Sequence, residues 1–406
     1  MKKNNQRFFD ILLLLFIFLL PTQFGKHFFL EFSYISGIRI DYLSYAIYTT
    51  DLIALIIIFI NRQHIFKFFK EKTTLLILFF LAISIVFSFS PWIAFYKFLK
   101  AVEILALFAV FRNALINKLF LLYGFLSGAV LQLGLSVFHL INQKSIQGLF
   151  YYLGERYFTS SIPGIAKASL QGVEILRPYG TFSHPNSMAG FYLLVYSLIL
   201  GTDFKKNQIL KNVSLVICIF LILISFSKTA ILGLIIVNII VLLRNYKKAF
   251  CKFCAVARVF VLSLISLIFL QSTTDPLSLV KRVQLIKSSI SIISTYPITG
   301  VGIGNYLVAQ SKLLGSSTVF PLQPVHNIFL LLIAEVGIFL GGAIIFFLFK
   351  YFYNFRKYDV LIYCAITIII SGFFDHYWLT LQQNILLLGV VFGIIANPRS
   401  RFEKFR

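Results

Sequence analysis

Apolar runs close to twenty residues long recur from one end of the chain to the other, separated by short breaks rich in lysine and arginine. Each run is about long enough to cross a hydrocarbon core roughly 30 Å thick. Backbone groups in lipid must bond within their own segment, so the runs read as helices. They are continuously apolar and do not alternate with period two, which argues against a β-barrel. The pattern predicts about twelve transmembrane helices, at 8–24, 42–60, 74–90, 93–111, 119–142, 186–202, 213–227, 229–243, 259–271, 326–349, 360–376 and 381–396. The expected fold class is all-α: a polytopic integral membrane protein with one transmembrane domain spanning 1–406.

Two connections are long. One runs over 143–185 and the other over 272–325, and both are expected on the extracytoplasmic side and to contain short helices. In the second, Val283, Ile286, Ile290 and Ile293 recur at helical spacing with Lys281, Arg282 and Lys287 among them, as in a helix lying on a membrane surface. Pro297 ends that helix, and Gly300, Gly302 and Gly304 then read as a flexible turn. This glycine run lacks the strand and helix that a dinucleotide fingerprint requires.

Composition agrees with a chain dissolved in lipid: 59% of the 406 residues are hydrophobic and only 13% are charged. A net charge of +23 would suggest nucleic acid in a soluble protein. Here about two thirds of the basic residues fall on one side of an alternating topology, as the positive-inside rule requires. They cluster at Lys2, Lys3 and Arg7; at Arg62, Lys67, Lys70 and Lys72; at Arg112 and Lys118; and at Lys205, Lys206 and Lys211. Further groups lie at Arg244, Lys247, Lys248, Lys252 and Arg258, at Lys350, Arg356 and Lys357, and at Arg399, Arg401, Lys404 and Arg406. The expected location is the cytoplasmic (inner) membrane, multi-pass, with both termini cytoplasmic and no nucleic-acid partner. Met1 to Pro21 has the basic start and apolar core of a signal sequence but no small-residue cleavage site, so it reads as a retained first helix. Cys218 and Cys364 lie in apolar runs. Cys251 and Cys254 form a lone CxxC with no second pair, which reads as reduced structural thiols and not as a zinc site.

The richest polar stretch is Arg177-Pro178-Tyr179-Gly180-Thr181-Phe182-Ser183-His184-Pro185-Asn186, directly before the sixth span. Pro185 suits the first turn of a helix with His184 at its cap, and a helix N-terminus favours an anion. Arg177 adds a planar guanidinium able to grip phosphate in two places. The bland alternative is a helix cap beside an interfacial arginine. A second constellation, Pro324-Val325-His326-Asn327, opens the tenth span; a histidine there can take a proton near neutral pH. Lys97, Lys100 and Glu103 form one polar stripe in the fourth span, and Glu335 is a carboxylate at membrane depth, where charge is expensive unless paired or wet. Lys100 and Glu103 could simply pair; a wet cavity for a charged headgroup is the functional reading. Lys228 stands in Ser225-Phe226-Ser227-Lys228-Thr229 at an outer turn and could snorkel or bind phosphate. His376, preceded by Asp375, ends the eleventh span outside and reads as interfacial and not catalytic. There is no Walker A motif and no external DxD cluster, in a chain with only 14 acidic residues, so bound phosphates would have to be neutralised by arginine and lysine and not by a metal.

The stretch 177–186 resembles the R-x-x-G-T-F-x-H-P-N signature of the O-antigen ligase and polymerase superfamily. Tyr296 to Asn305 resembles its P-x-x-G-x-G-x-G-N segment, and His326-Asn327 followed by Gly337 resembles its H-N-x9-G element. The motifs lie in the family's order. Lys228 departs from the arginine usual there, and the later glycines, Gly341 and Gly342, come one residue late. The resemblance implies a GT-C-type membrane glycosyltransferase that moves a glycan from an undecaprenyl-diphosphate carrier to an acceptor hydroxyl on a glycan, lipid or protein, at the outer face of the membrane. It implies a metal-independent, inverting reaction with no cofactor. By the same analogy Arg177, Arg282 and His326 are catalytic, and His184, Asn186, Lys228, Lys97, Lys100 and Asn327 bind substrate. Two alternatives stay open: a polymerase that extends the lipid-linked glycan, and a non-enzymatic polysaccharide-lipid transporter. External, off-centre long loops argue against the latter.

Overall fold

The computed structural model describes residues 3–246, 252–272, 276–314, 322–354 and 358–398. Of the residues discussed above, Lys2, Lys247, Lys248, Cys251, Arg356, Lys357, Arg399, Arg401, Lys404 and Arg406 lie outside that range. Helices occupy the described chain in the order α1 Lys3–Leu19, α2 Thr49–Ile60, α3 Arg62–Phe69, α4 Lys72–Val86, α5 Pro91–Asn113 and α6 Lys118–Asn142. Then come α7 Leu149–Tyr152, α8 Pro185–Gly201, α9 Gln208–Ile224, α10 Lys228–Asn245, α11 Lys252–Leu270 and α12 Pro276–Thr295. The last are α13 Tyr306–Leu314, α14 Ile328–Asn354, α15 Asp359–Phe374, α16 Tyr377–Thr380 and α17 Gln382–Ala396.

A helix lies over each of the twelve expected spans. By length and apolarity, α6, α10, α11 and α14 could each cross a membrane, and α2 with α3 passes the same test as one path bent by 85°. Others, α4, α9, α15 and α17, are apolar but shorter. The outer surface is oily: on α11, Phe260, Leu264 and Ile268 are 65%, 55% and 58% exposed. Apolar surface on that scale is tolerated only where another apolar phase covers it. The chain is a multi-pass membrane protein.

Its centre is α8. Nearly every residue from Pro185 to Ile199 is buried, as expected for a helix apolar all round, and α6, α9, α10, α15 and α17 surround it. This core continues into Phe16, Ile17, Leu107, Val110, Leu221, Ile231, Leu387 and Val390. A smaller cluster joins α12, α13 and the first half of α14 through Leu285, Ile292, Tyr306 and Leu331.

Three expectations are corrected here. The second helix starts at Thr49, not 42, because Tyr45–Tyr48 is a strand (β4) paired antiparallel with Gly25–Phe28 (β1). A second small hairpin, Tyr34–Ile35 (β2) with Ile38–Arg39 (β3), lies between them. Cys254 is disulfide-bonded and so not a reduced thiol, whereas Cys218 and Cys364 are free and buried.

The third correction concerns Gly300, Gly302 and Gly304, which form a packed turn. All three have positive φ, of 64°, 92° and 77°. A Cβ on Gly300 would stand 2.4 Å from the Glu335 carbonyl oxygen, and one on Gly302 would stand 2.2 Å from Ser88 Cβ. The turn docks on a break in α14 at Gly337, whose φ is 82°. There Val301 N–H donates to Ala334 O (3.0 Å), Gly302 N–H to Glu335 O (2.8 Å) and Ile338 N–H to Pro297 O (2.8 Å). The break exposes carbonyls that a straight helix would have used, and the glycine turn takes them up. Asn305 then accepts from Ser90 N–H (2.8 Å) and holds the start of α5.

Candidate functional site

The segment between α6 and α8 carries Arg177. A hairpin of Lys167–Leu170 (β5) and Val173–Leu176 (β6) leads into it, in the register Lys167↔Leu176, and Arg177 N–H donates to Ala166 O at 3.0 Å. The next motif residues are fixed from below. Gly180 has φ 57°, and a Cβ there would fall 2.2 Å from Gln132 Oε1. Thr181 accepts from Gln132 Nε2 (2.7 Å) and donates its hydroxyl to Pro21 O (2.7 Å). Arg177 and His184 therefore stand on a rigid base at the N-terminus of the most buried helix. His184 caps α8: its Nδ1 accepts from Asn186 N–H at 3.1 Å, and Pro185 follows at the first helical position.

From there a chain of hydrogen bonds crosses the molecule. Arg177, only 7% exposed, donates from Nε to Ser225 O (2.8 Å) and from Nη2 to Asn186 Oδ1 (2.5 Å). Asn186 Nδ2 donates to Asp375 Oδ2 at 2.9 Å. Asp375 Oδ1 accepts from His376 N–H (2.8 Å) and lies 3.3 Å from His326 Nδ1. The His326 and His376 ring centroids are 5.0 Å apart, and His376 Nδ1 is 2.8 Å from Thr380 Oγ1. Arg282 closes the other flank, donating from Nη1 to Phe374 O at 3.1 Å. Tyr42 meets the His376 ring edge-on, with centroids 5.7 Å apart.

Arg177, His184, Asn186, Arg282 and His326 thus converge, although His326 and Asp375 are 49 positions apart in sequence and Asn186 and Asp375 are 189 apart. His376, read from sequence as interfacial, and Asp375 before it are buried at the centre of the cluster (5% and 6% exposed). Their one sequence signal was an Asp-His pair at a span end in an acid-poor chain. Asn327 caps α14, its Oδ1 accepting from Phe329 and Leu330 N–H, each at 3.0 Å, while its Nδ2 donates to Phe373 O at 3.3 Å. Lys228 is exposed at the start of α10 and makes no ion pair or hydrogen bond among the described residues; the turn before it instead offers the Ser225 carbonyl to Arg177.

Lys97 and Lys100 belong to a second cluster. Lys100 Nζ pairs with Asp51 (2.5 Å) and Glu103 (3.3 Å), and Gln382 Nε2 also donates to Asp51. Lys97 faces the glycine turn, where a Cβ on Gly304 would stand 2.5 Å from its Cγ, and Glu335 is its closest opposite charge in effect. The two clusters approach each other at the link from α16 to α17: Thr380 contacts His376, and Gln382 contacts Asp51.

The electrostatics of the first cluster suit an anion. Burial lowers Arg177 to about 10, which still leaves it cationic at any working pH. Burial alone would raise Asp375, but the hydrogen bond and charge of His326, with His376 and His184, hold it well below the ordinary carboxylate range. Burial lowers His376 to about 4 against the pull of Asp375. Donor atoms of His326, Asp375 and His376 lie within 4.8 Å of one another, a spacing that could accept a divalent cation. Arg177 and Arg282 beside them oppose one, because their positive charge repels a cation. The arrangement reads better as an imidazole steadied by a carboxylate, facing two guanidinium groups.

A family model described as O-antigen ligase matches residues 213–347. That segment runs from α9 into α14 and holds Lys228, Arg282, the glycine turn, His326 and Asn327. Arg177, His184, Asn186, Asp375 and His376 lie outside it and reach the site through the fold. No curated protein matches the chain.

Proposed function

We propose that this chain, which belongs to the O-antigen ligase superfamily, transfers a glycan from an undecaprenyl-diphosphate carrier to an acceptor hydroxyl at the outer face of the cytoplasmic membrane. The reading rests on one observation: Arg177, Arg282 and His326 meet around Asp375. Arg177 and Arg282 bind the diphosphate and stabilise the negative charge that grows on it as the glycosidic C–O bond breaks. His326 takes the proton of the acceptor hydroxyl as its oxygen attacks the anomeric carbon, and Asp375 steadies the imidazolium that forms. One displacement at that carbon inverts its configuration. No metal is needed, because guanidinium groups neutralise the leaving group. Asn186 holds Arg177 and Asp375 in register, and His184 lines the anion's side of the cleft.

A polymerase uses the same chemistry with a lipid-linked glycan as acceptor. Mass spectrometry of glycoconjugates from cells with and without the gene separates the two. Loss of decoration from the final acceptor indicates a ligase, and accumulation of single-repeat glycans indicates a polymerase. With purified protein, His326→Ala and Arg177→Ala should each abolish transfer from a lipid diphosphate while the variants still accumulate in the membrane. Protein that formed no glycosidic bond yet moved the lipid across vesicles would be a transporter, and the enzyme reading would fail.

A further inference from the structure

We infer that Arg156 is a third cation of the donor site, a substrate-binding residue that grips the outer part of the carrier diphosphate; this rests on the function proposed above. The first observation is how firmly its neighbour is held. Glu155 and His139 form a pair, 2.7 Å apart, in which neither side chain is exposed at all. The same carboxylate accepts from Ile146 N–H at 2.8 Å and from Gln147 N–H. Burying such a pair is costly, and one use for that cost is to fix a position. Here it pins the segment after α6 to the last turn of that helix. The clamp continues through rings: Phe158 packs on His139 and on Tyr179, with centroids 4.9 Å apart in both cases. Tyr179 OH in turn accepts from Ala166 N–H at 2.8 Å.

Arg156 follows Glu155 and points the other way, outward. Its guanidinium lies 5.7 Å from the Tyr179 ring centroid, and Nη1 donates to Ser183 O at 3.3 Å. Both partners belong to the stretch 177–186 that carries Arg177 and His184, and the Tyr179 ring is 6.2 Å from that of His184. The charges of Arg156 and Asp375 both act on Tyr42, the residue that packs on His376. Arg156 has no carboxylate partner among the described residues. Charge balance is the second observation. Arg177 and Arg282 face one carboxylate, Asp375, and leave a surplus of one positive charge. A diester of diphosphate carries about two negative charges, and Arg156 supplies the remaining match. It does so at the rim, where a cation acts mainly on capture of the ligand.

The test is steady-state transfer by purified protein from a lipid diphosphate donor, at about 50 and about 300 mM salt. Arg156→Ala should raise the donor KM about five- to tenfold at low salt, leaving kcat and the acceptor KM within about threefold. Arg156→Lys should restore most of the donor KM, and added salt should narrow the gap between wild type and Arg156→Ala. A merely structural clip over Tyr179 would lower thermal stability and kcat together, with no salt dependence. That result, or an unchanged donor KM, overturns the inference. If His326→Ala and Arg177→Ala also transfer like wild type, the proposed function itself has failed; if they are dead and Arg156→Ala keeps its donor KM, only Arg156 is misassigned.

Discussion

Replacing Asp375 with asparagine removes one charge at almost constant volume, and so asks what that charge does. The carboxylate is 6% exposed and lies 3.3 Å from His326 Nδ1. It is ionised at neutral pH, since it is held well below the ordinary carboxylate range. In the proposed mechanism His326 takes the acceptor proton, and the new imidazolium then stands beside this anion. Two unit charges about 4 Å apart attract by about 4 kcal/mol at an effective dielectric near 20. The asparagine oxygen keeps part of the hydrogen bond, so the loss should be about 2–4 kcal/mol, or about 30- to 1000-fold in kcat. Donor binding should not suffer, because removing an anion makes the cleft more positive; the donor KM should fall or stay level. The assay is steady-state transfer of a labelled glycan from lipid diphosphate by purified protein, with melting temperature as the folding control. A variant with kcat within about threefold of wild type would refute the reasoning. So would a variant with normal kcat and a raised donor KM, since the carboxylate would then serve binding and not proton transfer.

The remaining predictions concern stability. Gly337→Ala puts a methyl group 2.0 Å from Ile298 O at a φ of 82°; it should cost about 2–4 kcal/mol, read as a lower melting temperature in detergent and a smaller folded yield. Lys100→Met strands the Asp51 and Glu103 carboxylates, both nearly buried, and should cost about 3–5 kcal/mol; adding Asp51→Asn and Glu103→Gln should recover much of it, and equal yields in all variants would show that the cluster is wet and unimportant. His376 is held near 4 when folded, so between the unfolded value of about 6.5 and that point the unfolded chain binds the extra proton. Stability from this group is complete above pH of about 6.5 and lost as pH falls toward 4, by up to about 3 kcal/mol. His376→Gln should flatten that part of a melting-temperature profile measured from pH 7 to 4.5.

Most of the scaffold could be read from the chain because lipid leaves the backbone so little choice. Long apolar runs become helices, and a helix covers every span that the pattern marked. The reading failed where pairing between distant segments competed. Residues 42–48 look like the start of a span, yet Tyr45–Tyr48 finds a partner strand twenty residues earlier and leaves the helix to begin at a threonine. Nothing in a single chain distinguishes a glycine that bends from one that fits, so the packed turn at 300–304 looked loose. Arg177 and His326 stand in quoted motifs and Arg282 in the helical pattern of the second long loop, and the fold brings the three near one another. Asp375 and His376 were not legible, because their meaning lies in partners 49 and 189 positions away. Lys97, Lys100 and Asn327 stood out as polar groups in unusual places; Lys100 pairs with Asp51 and Glu103 in a separate cluster, Lys97 faces the glycine turn, and Asn327 caps its own helix.

The joint between the 300–304 turn and the break in α14 is made chiefly of main chain, carbonyls and amides meeting directly, and the Glu335 side chain adds hydrogen bonds from Gly304 and Tyr306 N–H. Such a seam has few adjustable parts: its spacing is set by amide-to-carbonyl bonds and by the small size of its glycines. Anyone grafting a relative's loop onto this scaffold should therefore move 296–305 and the opening turns of α14 as one cassette. Cutting between them would ask two foreign backbones to interlock with nothing to compensate for a mismatch.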